Sequence, residues 1–339
     1  MKRSKLFFSA AVGLMLLTAC SNEEQKLDNG TLVLNGSDLI VTTESLIEGD
    51  GMTRSYLSRD MLSRIYSTDD ELRVYDNDLW RYDIYKFKWN DESQKSGVFS
   101  RSNPTTNLTS DAKWALYPKA GVVRGTWDFD LETGIAETVA WMRIGIDEEG
   151  NPSPLVYDGT YSASDTTHGK ALFKDIVPRW GEVTATGNGS TLETHLSYLT
   201  GVLRLQLAGT PAYADHVKVE LLEGGTTPLY ITGVFKTVLA VDDEKQTDAC
   251  LAASSHQEGT GGTEIIIDLS QASSDLEGAD ASKSVLFVPL VTTATAVDIV
   301  VSASSDGGQT YTEFKRFQNK TIQRAKIYGN SQEYVFGNE

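Results

Sequence analysis

An all-β fold, assembled as sandwiches or barrels from many short strands, is what this sequence predicts. Residues 202–207 and 217–221 alternate apolar and polar side chains, the period of two that sends successive residues to opposite faces of a strand. Residues 264–269 and 285–291 are short apolar runs bounded by Gly and Ser clusters, the pattern of strands ended by turns. Asp306-Gly307-Gly308 is hairpin-turn sequence between residues 298–303 and 311–317. Short strands and turns in this density argue for sandwiches or barrels rather than a parallel α/β design.

The first twenty residues read as a leader. Lys2, Arg3 and Lys5 precede an apolar run, residues 6–17, interrupted only by Ser9 and Gly13. A membrane-spanning helix needs about 20 apolar residues, so the run fits the core of a secretory signal instead. Leu17-Thr18-Ala19-Cys20 then sets small residues directly before a thiol. That order predicts a lipoprotein signal over residues 1–19, cleavage between Ala19 and Cys20, and acyl chains on Cys20. Several acyl chains hold a protein on a membrane where one does so only marginally.

Residues 21–30 are polar and acidic and read as a tether. Residues 31–43 read as one strand, or two around Asn35-Gly36, and residues 44–55 return to loop composition with Gly49, Asp50 and Gly51. A short helix is expected over 55–65. Strand alternation resumes over 82–89. Residues 181–194 lack apolar periodicity and suggest a boundary, and residues 241–262 read as a long loop. The roughly 320 residues after Cys20 suffice for two domains. The expected division is 55–190 and 191–339.

Composition excludes several functions. Lys and Arg total 30 against 47 Asp and Glu, a net charge of −17. Removing the leader's three cations leaves 27 against 47, or −20. So acidic a chain lacks the basic footprint of nucleic-acid binding. With Cys20 committed to lipid, Cys250 has no partner for an internal disulfide. His168, His195, His216 and His256 lie too far apart for a local zinc motif. No nucleophile elbow, phosphate loop or dinucleotide fingerprint occurs. The acidic runs 147–149 and 242–244 lack the order that surrounds calcium. All six tryptophans, at 80, 89, 114, 127, 141 and 180, precede the expected boundary. Core packing is their commoner use, and sugar stacking the alternative. The sequence predicts neither catalysis nor a cofactor.

Four features together resemble the fimbrillin family, the subunits of type V pili. They are the lipobox LTAC with the acidic tether SNEEQ, the isolated early strand TLVLNGSDLIVTT ahead of a loop ending at Arg54, the segment Trp114-Ala115-Leu116-Tyr117-Pro118, and THLSYLTGVLRLQL at 194–207. The resemblance implies two tandem β-sandwich domains of transthyretin-like, Greek-key type. It implies export to the outer membrane as a lipoprotein, then cleavage by a trypsin-like arginine protease. Carried onto this sequence, residues 20–54 become a propeptide, cut between Arg54 and Ser55, with Arg59 and Arg64 as competing sites. The mature chain 55–339 would carry 25 basic and 40 acidic residues. Loss of the early strand would open a groove for a strand from a neighbouring pilus subunit, a form of strand addition. Candidate donors lie near the C-terminus, in residues 321–328 with Ile322 and Ile327, or in residues 332–336 with Tyr334 and Phe336. A stalk or tip subunit with a role in adhesion is the leading expectation. The alternatives are an anchor subunit that keeps its lipid, a permanently lipidated glycan-binding protein, and a hydrolase using dispersed carboxylates.

Overall fold

A computed structural model describes residues 38–44, 47–48, 70–76, 79, 81–89, 97–103, 112–129, 136–156, 171–172, 177–186, 191–206, 214–241, 244–245, 248–269 and 285–329. All of them belong to a single compact unit, Leu34–Glu339. In chain order the strands are β1 (Asp38–Thr43), β2 (Ile47–Glu48), β3 (Glu71–Tyr75), β4 (Tyr82–Trp89), β5 (Gly97–Asn103), β6 (Trp114–Tyr117), β7 (Val122–Phe129) and β8 (Ala136–Ile144). There follow β9 (Leu155–Val156), β10 (Ala171–Leu172), β11 (Arg179–Thr186), β12 (Thr191–Tyr198), β13 (Gly201–Gln206), β14 (His216–Glu223) and β15 (Thr227–Pro228). The remainder are β16 (Gly233–Val241), β17 (Glu244–Lys245), β18 (Glu264–Asp268), β19 (Val285–Leu290), β20 (Val297–Ser304), β21 (Thr312–Lys320) and β22 (Lys326–Tyr328). Among the described residues the helical pieces are the 3-10 turns Lys119–Gly121 and Ala253–Ser255. The chain is all-β, as its alternation predicts. The helix expected over 55–65 lies outside the described residues.

Seven strands close into a barrel in the order β1-β12-β11-β6-β3-β4-β5. The other strands form three sheets: β10-β19-β13-β22-β2, then β21-β20-β14-β18-β9 with β15 beside β14, and finally β17-β16-β8-β7. Hydrogen-bonded pairing crosses residues 190/191 in both directions. β12 closes the barrel of N-terminal strands, whereas β8 pairs with β16, β9 with β18 and β10 with β19.

Of the stretch 181–194, expected to lack periodicity, residues 181–186 belong to β11 and residues 191–194 to β12, which form an antiparallel pair. Its inward positions are Val183, Leu192, Thr194 and Leu196, all buried. Thr and Gly fill half of the positions between them, so the period of two is present with few apolar residues to announce it. Of the long loop expected over 241–262, residues 248–262 lie in no strand, whereas β16 extends to Val241 and β17 takes Glu244–Lys245.

Two cores result. The barrel encloses Leu39, Leu72, Val74, Tyr85, Phe87, Phe99, Ala115, Tyr117, Val183, Leu192 and Leu196. A larger core joins the other sheets to the barrel's outer wall through Tyr75, Trp114, Leu116 and Trp180. β6 explains the join. Along Trp-Ala-Leu-Tyr the side chains alternate, so Ala115 and Tyr117 enter the barrel while Trp114 and Leu116 enter the larger core. All four are buried, as a strand with protein on both faces requires.

Candidate functional site

The candidate site is the seat that β1 occupies in the barrel. β1 runs parallel to β12, with Leu39 opposite Leu192, Val41 opposite Thr194 and Thr42 opposite His195. Its other edge meets β5 in antiparallel pairing, Asp38 opposite Ser100 and Leu39 opposite Phe99. A parallel pair cannot be joined by a tight turn, and here the partners lie about 150 residues apart in sequence. β1 therefore enters the barrel as a separate piece between two strands that do not pair with each other.

Side chains fix it there. Leu39 is fully buried and Val41 packs against the same core from a half-buried position. Burying a Leu side chain contributes about 1.5–3 kcal/mol. At the start of β1, Ser100 Oγ donates to the buried Asp38 carboxylate at 2.6 Å. Further on, Thr42 Oγ1 lies 3.0 Å from His195 Nδ1 and 3.4 Å from the Thr194 carbonyl oxygen.

Glu44, just past the strand, fastens its end. Its N–H donates to the Leu196 carbonyl at 2.8 Å, and its carboxylate accepts the Tyr198 N–H at 3.1 Å. Arg324 grips both carboxylate oxygens of Glu44, at 2.8 and 3.1 Å. Both side chains are about one-quarter exposed, so the pair is shielded beyond an ordinary surface ion pair. β2 then adds parallel to β22, Ile47 opposite Lys326 and Glu48 opposite Ile327. One stretch, residues 38–48, thus completes the barrel and also borders the C-terminal sheet.

The residues singled out in the sequence fall into two groups. Ala19, Cys20, Arg54, Ser55, Arg59, Arg64, Tyr334 and Phe336 lie outside the described residues. Ile322 and Ile327 are placed, and both are buried. Ile327 belongs to β22, held between β13 and β2 in its own chain. Of the tryptophans, Trp114 and Trp180 are core residues with ring centroids 5.8 Å apart. Trp141 is half-buried beneath the Arg124 guanidinium, 5.1 Å from it. Trp80 lies outside the described residues, and Trp89 and Trp127 sit in β4 and β7.

Other chemistry is sparse among the described residues. No group of three or more His, Cys, Asp or Glu converges to hold a metal ion. His216 hydrogen-bonds Asp215 at 2.9 Å, and His256 stacks on Tyr230 with centroids 4.3 Å apart. Cys250 Sγ accepts a hydrogen bond from Thr292 Oγ1 at 3.3 Å. A cavity of about 130 Å³ opens beside cis-Pro118, lined by Gly121, Arg143, Ile146, Pro178 and Pro289 among others, with Arg143 its single charged side chain. Glu44, Arg324 and His195 were not singled out by the sequence as parts of this site. They become visible only when β1 is placed beside β12.

No family model matches the chain, and no curated protein does. Solved structures to which it is similar are of fimbrial and cell-adhesion type. One is a Bacteroides ovatus protein proposed to act in cell adhesion, 13% identical over 85% of this chain and 87% of that one, with a TM-score of 0.39. Another is a fimbrial protein from Bacteroides ovatus, 10% identical over 87% of this chain and 48% of that one, with a TM-score of 0.33. A third, from Bacteroides thetaiotaomicron and also proposed to act in cell adhesion, is 10% identical over 86% and 90%, with a TM-score of 0.35. Scores and identities this low carry no argument about activity.

Proposed function

We propose that this protein is a structural subunit of a cell-surface fimbrium, a stalk or tip subunit with a role in adhesion. It is exported as a lipoprotein through Cys20, held on the outer membrane, and cut after Arg54 by a trypsin-like arginine protease. The cut discards residues 20–54 and with them β1 and β2. A strand from a neighbouring subunit then takes the vacant seat, and repetition builds the fibre.

The observation that carries this reading is the seat of β1. A barrel that depends on one strand, joined by parallel pairing to a distant partner, can lose that strand while the pairings among its other six strands stay in place. Its loss bares the Leu39 slot and leaves unpaired the backbone groups on the edges of β5 and β12 that faced β1, a state that favours strand addition. The Gly49-Asp50-Gly51 context ahead of Arg54 suits proteolysis. Of the two donor candidates, Ile327 already serves its own chain's sheet and Ile322 its core, which favours the segment with Tyr334 and Phe336.

N-terminal sequencing of protein taken from the cell surface tests the proposal. Ser55 as first residue is the expected result, and lipidated Cys20 on every molecule would sink the stalk and tip roles in favour of an anchor. The variant Arg54→Ala is expected to accumulate as unpolymerised precursor. Normal fibres from it, beginning at residue 60 or 65, would move the cut to Arg59 or Arg64.

A further inference from the structure

The heptapeptide that fills the seat has a counterpart in the same chain. Asp38-Leu39-Ile40-Val41-Thr42-Thr43-Glu44 reads as an acid, three apolar residues, two uncharged polar residues and an acid. Glu333-Tyr334-Val335-Phe336-Gly337-Asn338-Glu339 reads the same way, with Gly337 at one of the two non-apolar places. Asp38, Asp248, Glu264, Asp298 and Glu333 are each followed by three apolar residues. Of these, only Asp38 and Glu333 have a second acid six positions on. The second acid is the one that matters, because Glu44 meets Arg324 and the Tyr198 N–H at the far end of the seat.

Resting on the strand-exchange reading above, we infer that residues 333–339 of a second copy enter the seat in the register of β1, each residue taking the place of the one 295 positions earlier. Tyr334 fills the Leu39 slot and Phe336 the Val41 slot, two apart and on one face. Glu333 takes the place of Asp38 beside Ser100. Glu339 takes the place of Glu44 and pairs with the acceptor's Arg324. The incoming strand runs parallel to β12 and antiparallel to β5, as β1 does. Charge complementarity fixes this register. Sliding the strand by two residues keeps the apolar face inward but withdraws the carboxylate from Arg324, and sliding by one turns the aromatic pair outward. The aromatic pair also carries more apolar area than Leu39 and Val41.

Disulfide trapping between full-length precursors tests the register. Thr42 lies opposite His195, so Gly337 of the incoming copy should lie opposite the acceptor's His195. Precursors carrying His195→Cys and Gly337→Cys, each with Cys250→Ser, are mixed and digested with an arginine-specific protease, then read on a non-reducing gel and by mass spectrometry. A 195–337 linkage that appears only after digestion is the expected result. Preferential linkage of the His195→Cys thiol to a cysteine placed at 335 or 339 would overturn the register while leaving strand exchange intact. Undiminished polymers from subunits lacking residues 333–339 would overturn this segment as donor altogether. Independently, Arg324→Glu or Glu339→Arg alone should slow assembly about fivefold to tenfold, and the two together should recover most of the loss. Additive losses would remove the Glu339–Arg324 contact.

Discussion

The barrel and the β21-β20-β14-β18 sheet are both strand-built, yet they are closed in opposite ways. In the second region, β20 and β21 are joined by a hairpin whose loop is tied internally. Asp306 accepts the Gln309 and Thr310 N–H groups at 3.0 and 2.9 Å and the Thr310 and Ser304 hydroxyls at 2.6 and 2.7 Å. Its central strand β14 is flanked by β18 and β20 in continuous antiparallel register. The barrel instead depends on β1, a strand whose neighbours are remote in sequence. The difference separates a region that holds itself together from one that waits on a detachable part.

The largest effect should come from removing that part. In precursor cut after Arg54 and kept from polymerising by dilution, backbone amides of β5 and β12 should exchange with solvent more than about tenfold faster through local opening, a larger acceleration than in β14 and β20. Equal acceleration in both regions would erase the contrast. Leu39→Ala in the intact precursor should cost about 2–5 kcal/mol, since it empties a fully buried slot. A denaturant titration reporting less than about 1 kcal/mol would mean that the barrel does not rely on β1.

Smaller effects probe how each region is fastened. Glu44→Gln breaks the ion pair with Arg324 and should destabilise the precursor by about 1 kcal/mol, with the same measurement reading no loss if the pair is ornamental. The smallest effect concerns pH. Hydrogen bonds from the Thr310 hydroxyl and backbone, then from Ser304, hold the Asp306 carboxyl below its ordinary range. A depressed carboxyl contributes stability that is complete above about pH 4 and is lost as pH falls through its folded value. Amides of residues 307–310 should therefore exchange faster on strong acidification, after correction for intrinsic rates. Asp306→Asn should flatten that response, and an unaltered response in the variant would assign it elsewhere.

Much of the second region was legible in the sequence because its signals are local. Alternation marks β14, an apolar run marks β18, and Asp306-Gly307-Gly308 marks the turn before β21, while the same signals mark β13 and β19 in the neighbouring sheet. The barrel was harder to read. β11 and β12 hide their period behind Thr and Gly, and nothing in residues 38–43 names residues 191–198 as their partner. Non-local pairing is decided by the whole core, not by either strand. The donor question stayed open for a related reason. Ile322 and Ile327 carry the apolar spacing of any buried strand, and that spacing reads the same whether the strand serves its own chain or a neighbour. Glu44 resembled any loop carboxylate until Arg324, 280 residues away, came to rest against it.

β6 has a consequence for how the molecule melts. Because Trp114 and Leu116 stand in one core while Ala115 and Tyr117 stand in the other, neither core can dissolve without stripping a face from the strand both share. Two separate melting steps would require β6 to survive with one side bare. Calorimetry of the precursor should accordingly show one cooperative transition, with the measured and van't Hoff enthalpies equal. A lesion such as Leu116→Ala should then lower the melting temperature seen by probes in both cores together. Four residues thus bind two cores into one thermodynamic unit.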